Sequence, residues 1–278
     1  MVFLHILDIL VVVFSVHLTA ILSTPIVGGQ PVVRQNSWEI LKYPYIASLQ
    51  EKIITSDNCQ EYYFKHFCGG TLLNHNWILS AGHCLWHKKI ETVFAIIGHE
   101  NLTNILPSER LPVERFEFIS FQPESLQNDI ALVRLKEPYF SPFQSSNNNV
   151  YGKLPLYGMK AYRKSPCKII GFGAKHHAGQ SQENLEEGEV YVISNKKCRR
   201  LLGYVWAPQR GGNTVCALGH GQDTCQGDSG GPLICNYDDV EYIYGIVSHG
   251  LTCGLKGIPS VYTVTGPYME WISLVIDD

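Results

Sequence analysis

Residues 223–233 read Asp-Thr-Cys-Gln-Gly-Asp-Ser-Gly-Gly-Pro-Leu. Ser229 stands among glycines, two acids and a cysteine. Gly230 and Gly231 allow backbone conformations that a Cβ would forbid, and Pro232 fixes the chain as it leaves the turn. Such a turn can hold the Ser229 hydroxyl outward and aim successive N–H groups at one point, as acyl transfer requires. A lone Gly/Ser turn is more often an ordinary surface loop. The stretch gains chemical meaning only with a base, an orienting acid and a frame to hold them.

A serine hydroxyl is a poor nucleophile until a base takes its proton. His83 is the best placed of the eleven histidines. It follows the apolar run Trp77-Ile-Leu-Ser80 and adjoins Cys84, which can pin it through a disulfide. The orienting acid should sit beside an apolar strand, and Asn128-Asp-Ile-Ala-Leu132 puts Asp129 at the mouth of one. Taken singly, His83 is an ordinary strand-end histidine and Asp129 an ordinary turn acid.

The elements that must position these groups are short apolar runs separated by turn residues, at 45–49, 71–73, 77–80, 93–97, 130–135, 167–170, 190–193 and 242–247. Strands at that spacing predict an all-β sandwich or a pair of barrels. Tyr268, Trp271, Ile272 and Val275 recur at helical spacing after Pro267 and predict a terminal amphipathic helix. The polar stretch 141–149 divides the strands into two groups.

The 278 residues suffice for one large domain or two small ones, and 45% hydrophobic with 17% charged residues suits a globular core. The net charge of −3 gives no broad basic face for nucleic acid. The cluster Lys196, Lys197, Arg199 and Arg200 reads as a solvated face. Nine cysteines indicate an oxidising compartment, and the odd count leaves at least one outside any intramolecular pairing. No C-x-x-C spacing supports a metal site, so none is expected. Residues 1–23 carry an apolar run that fits a secretory signal ending at Ser23, although Lys and Arg are absent there. A signal anchor is the alternative.

The order His83, Asp129, Ser229 joins a recognisable set of segments: Ile26-Val-Gly-Gly29, Phe67-Cys-Gly-Gly70, Ser80-Ala-Gly-His-Cys84, Asn128-Asp-Ile-Ala-Leu132, Gly227-Asp-Ser-Gly-Gly-Pro-Leu233, Val247-Ser-His-Gly250 and Pro259-Ser-Val-Tyr-Thr263. From Ile26 onward the chain resembles the trypsin-like, chymotrypsin-fold serine proteases. The resemblance implies two antiparallel six-stranded β-barrels, joined around 136–150, with the active site in the cleft between them and a C-terminal α-helix. It implies a signal at 1–23, a propeptide at 24–25 and a peptidase domain over 26–278.

By that resemblance Ser229 attacks the scissile carbonyl, His83 shuttles the proton and Asp129 orients the imidazole. The N–H groups of Gly227 and Ser229 form the oxyanion hole, and Ser248 supports the buried acid. Asp228 pairs with the α-ammonium made when the chain is cut before Ile26, so the uncut chain is a zymogen. Asp223 lies at the base of the S1 pocket, where it would pair with substrate Arg or Lys. Gly250 fits an open pocket wall. Ser260 replaces a glycine and is expected to narrow the pocket floor. His249 replaces a tryptophan, which alters contacts to residues before the cut bond. Pro25 precedes Ile26 where Arg or Lys is usual, so trypsin should not activate this chain. Removal of Thr24-Pro25 by a dipeptidase is the expected route.

The implied disulfides are Cys68–Cys84, Cys167–Cys235, Cys198–Cys216 and Cys225–Cys253. Cys59 is left over in an insertion between Leu49 and His66, as a free thiol or an intermolecular bridge. Asn101-Leu-Thr103 is an N-glycosylation sequon. Glu100 and Glu109 lie where some relatives bind calcium, but His99 replaces a ligand, and no cofactor is expected. The partners implied are protein or peptide substrates and protein protease inhibitors, outside the cell, without nucleic acid and without a membrane once the signal is removed. A catalytically weak secreted homologue acting as a binding protein is the alternative, kept open by Pro25, His249 and Ser260.

Overall fold

A computed structural model describes residues 26–32, 41–55, 61–142, 150–159, 166–209 and 212–277. The expected signal, Thr24-Pro25 and Cys59 lie outside the described residues, as does most of the 141–149 stretch.

Thirteen strands are present among the described residues. They are β1 (Gln30–Pro31), β2 (Ile46–Ile54), β3 (Tyr62–Leu72), β4 (Trp77–Ser80), β5 (Val93–Ile97), β6 (Leu111–Phe118), β7 (Ala131–Leu135), β8 (Pro166–Gly171), β9 (Glu186–Ile193), β10 (Thr214–Gly219), β11 (Pro232–Tyr237), β12 (Val240–Gly250) and β13 (Ser260–Val264). β2-β3-β4-β7-β6-β5 close into one antiparallel barrel. β9-β10-β13-β12-β11-β8 form the second, closed by the β8–β9 pairing, and β1 adds to β9.

Apolar content decides which strands go deepest. β4 is buried throughout, and β7 carries Leu132 and Val133 at 0% exposure. β9 alternates buried and partly exposed positions, the period of a strand with one core face. The main apolar cluster spans both halves. It joins Trp77, Ile78 and Leu132 of the first barrel to Ile234, Ile243 and Ile246 of the second, with Ile272 of the terminal helix. That helix, Met269–Ile276, follows a 3-10 turn at Gly266–Tyr268 and lies where the apolar spacing predicts it.

Two features differ from the sequence expectation. The insertion after Leu49 extends β2 and β3 into one long hairpin, paired out to Ile54 and Tyr62. A second helix, Asn195–Trp206, was not expected. Ser194 caps it by accepting from the Lys197 N–H, Cys198 and Leu202 are its buried residues, and Gly203 at φ +76° breaks the helical run before Trp206. The four basic residues 196, 197, 199 and 200 ride on it, with Lys196, Lys197 and Arg200 exposed. Of the described helices, none is long and apolar enough to cross a membrane.

The disulfides Cys68–Cys84, Cys167–Cys235, Cys198–Cys216 and Cys225–Cys253 are formed. They are the pairs that the resemblance implies. The first ties β3 to the short helix Gly82–Leu85 that carries His83.

Candidate active site

His83 stands on the first turn after β4, reached through Ala81, which is fully buried. Gly82 leaves close packing there: a Cβ would meet the Phe121 ring at 3.0 Å and Asp129 Oδ1 at 3.4 Å. Asp129 enters β7 from the opposite side and is 0% exposed. Its Oδ1 accepts the His83 backbone N–H at 2.8 Å, and its Oδ2 lies 2.8 Å from His83 Nδ1. Ser248 Oγ donates to the same Oδ2 at 2.6 Å. Burial pushes the Asp129 carboxyl up, but the bonds from His83 and Ser248 outweigh it and hold the group below its usual value. The acid is therefore an ionised acceptor, which fixes the proton of a neutral His83 on Nδ1 and leaves Nε2 as a base.

Ser229 lines the same cavity as His83, a cleft of about 320 Å³ that also meets Thr224, Gln226, Gly250 and Ser260. Ser229 Oγ makes no hydrogen bond among the described residues, and His83 Nε2 lies 3.8 Å from the Cys84 sulfur. Contacts between nucleophile and base are often long without substrate and tighten when it binds. Cys68, His83 and Cys84 converge closely enough to hold an ion, but both sulfurs are spent in the disulfide.

The serine loop is docked on the first barrel. The Gly69 N–H donates to the Ser229 carbonyl at 2.8 Å, and Ser80 Oγ donates to the Gly69 carbonyl at 2.8 Å. Gly230 has φ +79°, and a Cβ on it would lie 2.2 Å from Ser80 Oγ and 2.5 Å from the Gly69 oxygen. No other residue fits that approach. The Gly230 and Gly231 N–H groups go to Val247 and Asp228 carbonyls. Those of Gly227 and Ser229 meet no acceptor among the described residues, as an oxyanion site requires.

His66 was not singled out in the sequence, although it directly precedes Phe67-Cys-Gly-Gly70. Its Nε2 lies 2.9 Å from the Gly227 carbonyl and its Nδ1 2.8 Å from Ser48 Oγ. A carbonyl only accepts, so Nε2 carries the proton and Ser48 donates to Nδ1. Burial lowers the imidazole to about 4, the Gly227 bond opposing, so His66 is neutral around pH 7. Its fixed N–H holds the carbonyl of the Gly227–Asp228 peptide, whose own N–H donates to the Cys225 carbonyl at 3.0 Å.

Asp228 is fully buried. Its oxygens accept the Gly173 and Cys225 N–H groups, each at 2.8 Å. Gly173 is needed because a Cβ there would lie 2.4 Å from this carboxylate. Burial pushes Asp228 up to about 7, the two N–H bonds opposing and the Asp223 charge adding. Ile26 is 0% exposed in the apolar cluster of the second barrel, and Val27 forms a two-way backbone bridge with Asp223.

Asp223 is 7% exposed. Its Oδ1 accepts Ser260 Oγ at 2.7 Å and the Thr224 N–H at 2.9 Å, and its Oδ2 accepts the Gly254 N–H at 3.1 Å. Burial raises its pKa, and these three bonds oppose the rise. Ser260 and Gly250 are directly paired across β12 and β13. A Cβ on Gly250 would stand 3.0 Å from Ser260 Oγ, so the glycine keeps that wall low. His249 is half-buried. Its Nδ1 lies 3.0 Å from Ser248 Oγ and its Nε2 3.3 Å from the Trp206 carbonyl at the end of the Asn195–Trp206 helix. Asn101 is exposed, with Nδ2 on Asn184 Oδ1 at 2.6 Å and Oδ1 accepting from Thr103. Glu109 pairs with His99 at 3.5 Å and caps the Leu106 N–H.

The family profile described as Trypsin matches residues 26–272. The chain is 30% identical over 243 residues to the venom peptide isomerase heavy chain of Agelenopsis aperta, covering 83% of this chain and 94% of that one. It is 34% identical over 211 residues to human serine protease 56, covering 74% of this chain and 34% of that protein. The chain belongs to the trypsin family of serine proteases.

Proposed function

We propose that the protein is a secreted serine endopeptidase that cuts peptide chains after Arg or Lys. The observation that carries the reading is the Asp129 carboxylate, held between His83 and Ser248 beside the cavity that Ser229 lines. Ser229 Oγ attacks the carbonyl as its proton passes to His83 Nε2, and the imidazolium is stabilised by Asp129. The Gly227 and Ser229 N–H groups receive the oxyanion. His83 then protonates the leaving amine, and water repeats the sequence to release the acyl group. Asp223 selects a basic side chain through a charge-assisted pair.

Residues 1–23 direct export and are removed, Thr24-Pro25 follows, and the freed Ile26 ammonium pairs with Asp228 to switch the zymogen on. Asn101 carries a glycan. Protein inhibitors fit the cleft as substrates do, and Cys59 is open to a bridge with another chain.

A fluorophosphonate probe tests the reading. Processed protein should be labelled, and Ser229→Ala should abolish labelling. Correctly processed protein that takes no label would instead be a binding homologue. The relative named an isomerase also bears on the product. A peptide substrate that gains one water is cleaved, whereas unchanged mass with altered retention marks isomerisation.

A further inference from the structure

His249 belongs to a continuous chain of polar contacts that runs out of the active site. His83 Nδ1 meets Asp129 Oδ2, Ser248 Oγ meets the same oxygen, His249 Nδ1 meets Ser248 Oγ, and His249 Nε2 faces the Trp206 carbonyl. The donors can be assigned from chemistry. An ionised Asp129 only accepts, so the Ser248 proton points at it. Ser248 Oγ then offers lone pairs to His249, so Nδ1 must carry a proton. The Trp206 carbonyl also only accepts, so Nε2 satisfies it only when that nitrogen is protonated too. A neutral His249 can serve one end of the chain; the imidazolium serves both.

We infer that His249 is a second, titrating positioning residue, which fixes the Ser248 proton on Asp129 and couples the active site to the end of the Asn195–Trp206 helix. The inference rests on the triad reading proposed above. The titratable groups facing His249 are Asp129 before β7, His83 on the Gly82–Leu85 helix, His177 across the cleft and Tyr268 before the terminal helix. Burial raises Tyr268, with an opposing hydrogen bond from Asn213, so it stays neutral. Burial lowers His249, against the Trp206 carbonyl and the Asp129 charge, with His83 adding to the fall. At neutral pH His249 is thus mostly uncharged, tied to Ser248 and loose at Trp206. Acid adds the second proton. The resulting cation secures Trp206 and competes with the His83 imidazolium for the Asp129 charge, which opposes proton uptake by His83 in the transition state.

The test follows probe labelling of Ser229 against pH in wild type, His249→Phe and His249→Gln. The expected wild-type acid limb is steeper than one ionisation allows, with a single-ionisation limb in both variants. Gln keeps a donor for Ser248, so near pH 8 it should label about tenfold faster than Phe. Superimposable profiles in wild type and His249→Phe would overturn the inference while leaving the triad intact, since labelling itself would persist. A second readout needs no activity. In Ser229→Ala, histidine nitrogen resonances should show neutral His249 protonated on Nδ1, and a proton found on Nε2 instead would also overturn it. Wild-type protein that takes no label fails the triad reading, and the nitrogen resonances then decide the hydrogen-bond chain alone.

Discussion

Ser260 Oγ donates to Asp223 Oδ1 at 2.7 Å, so the residue expected to narrow the pocket floor also occupies one oxygen of its acid. The hydroxyl acts in two ways. It screens a carboxylate that a substrate guanidinium would otherwise grip with both oxygens, and it compensates the burial of that acid. Ser260→Gly removes both effects. The cavity deepens and Oδ1 is released to the ligand, while Thr224 and Gly254 still hold the carboxylate. A hydrogen bond to a charged group is worth about 1.5–3 kcal/mol. The expected result is a gain of about tenfold in kcat/KM for Arg substrates, measured on matched Arg and Lys peptides. A loss would mean that Ser260 assists the basic side chain.

Much of this was open to reading in the sequence, for a physical reason. The side chains gathered at the candidate site sit on turns whose glycines leave room for close approach of neighbouring groups. The Gly230 approach to Ser80 is one such case, and the Gly82 contact with Phe121 is another. The core strands 77–80 and 130–135 are apolar on both faces apart from Ser80 and Arg134, and both enter the main apolar cluster. What stayed hidden depends on distant partners. His66 is an unremarkable strand histidine until Ser48 and Gly227 are placed around it. The Asn195–Trp206 helix is interrupted by Gly203 at φ +76°, which breaks the helical run within it. The reach of His249 to Trp206 crosses 43 residues of chain.

His66 sets a second prediction, on stability. Its folded pKa is lowered from 6.5 to about 4, so below pH 6.5 the unfolded chain takes up a proton that the folded protein refuses. Stability from this group is complete above about pH 6.5 and is lost as pH falls toward 4. Asp228 works in the opposite sense over the same range, because its folded pKa is raised to about 7 and protonation favours the fold. The two are separated by difference. The melting-temperature gap between wild type and His66→Phe should shrink steadily from pH 7 to pH 4. Near pH 7 the variant should also be less stable by about 1–3 kcal/mol, since the partly buried Gly227 carbonyl is left unmet. A gap independent of pH would show that His66 is merely packed there.

The last prediction concerns Asp228 and the cut before Ile26. In the continuous chain the Asp228 carboxyl has two N–H donors and sits near half-protonation at neutral pH. An α-ammonium delivered beside it would favour the charged carboxylate and be favoured in turn. A free α-amino group has a pKa of about 7.7–8, and pairing raises it. Stability from that raised group is fully present below about pH 8 and fades as pH climbs through the folded value. Protein starting at Ile26 should therefore hold activity into mildly alkaline pH and then lose it together with the ordered Gly227 loop. Asp228→Asn keeps the shape but removes the charge. Leaving the ammonium buried and unpaired costs roughly 3–5 kcal/mol, which corresponds to a loss of at least a hundredfold in kcat/KM. Active protein should show Ile26 on amino-terminal sequencing. Full activity in processed Asp228→Asn, or in protein with any other mature start, would refute the mechanism.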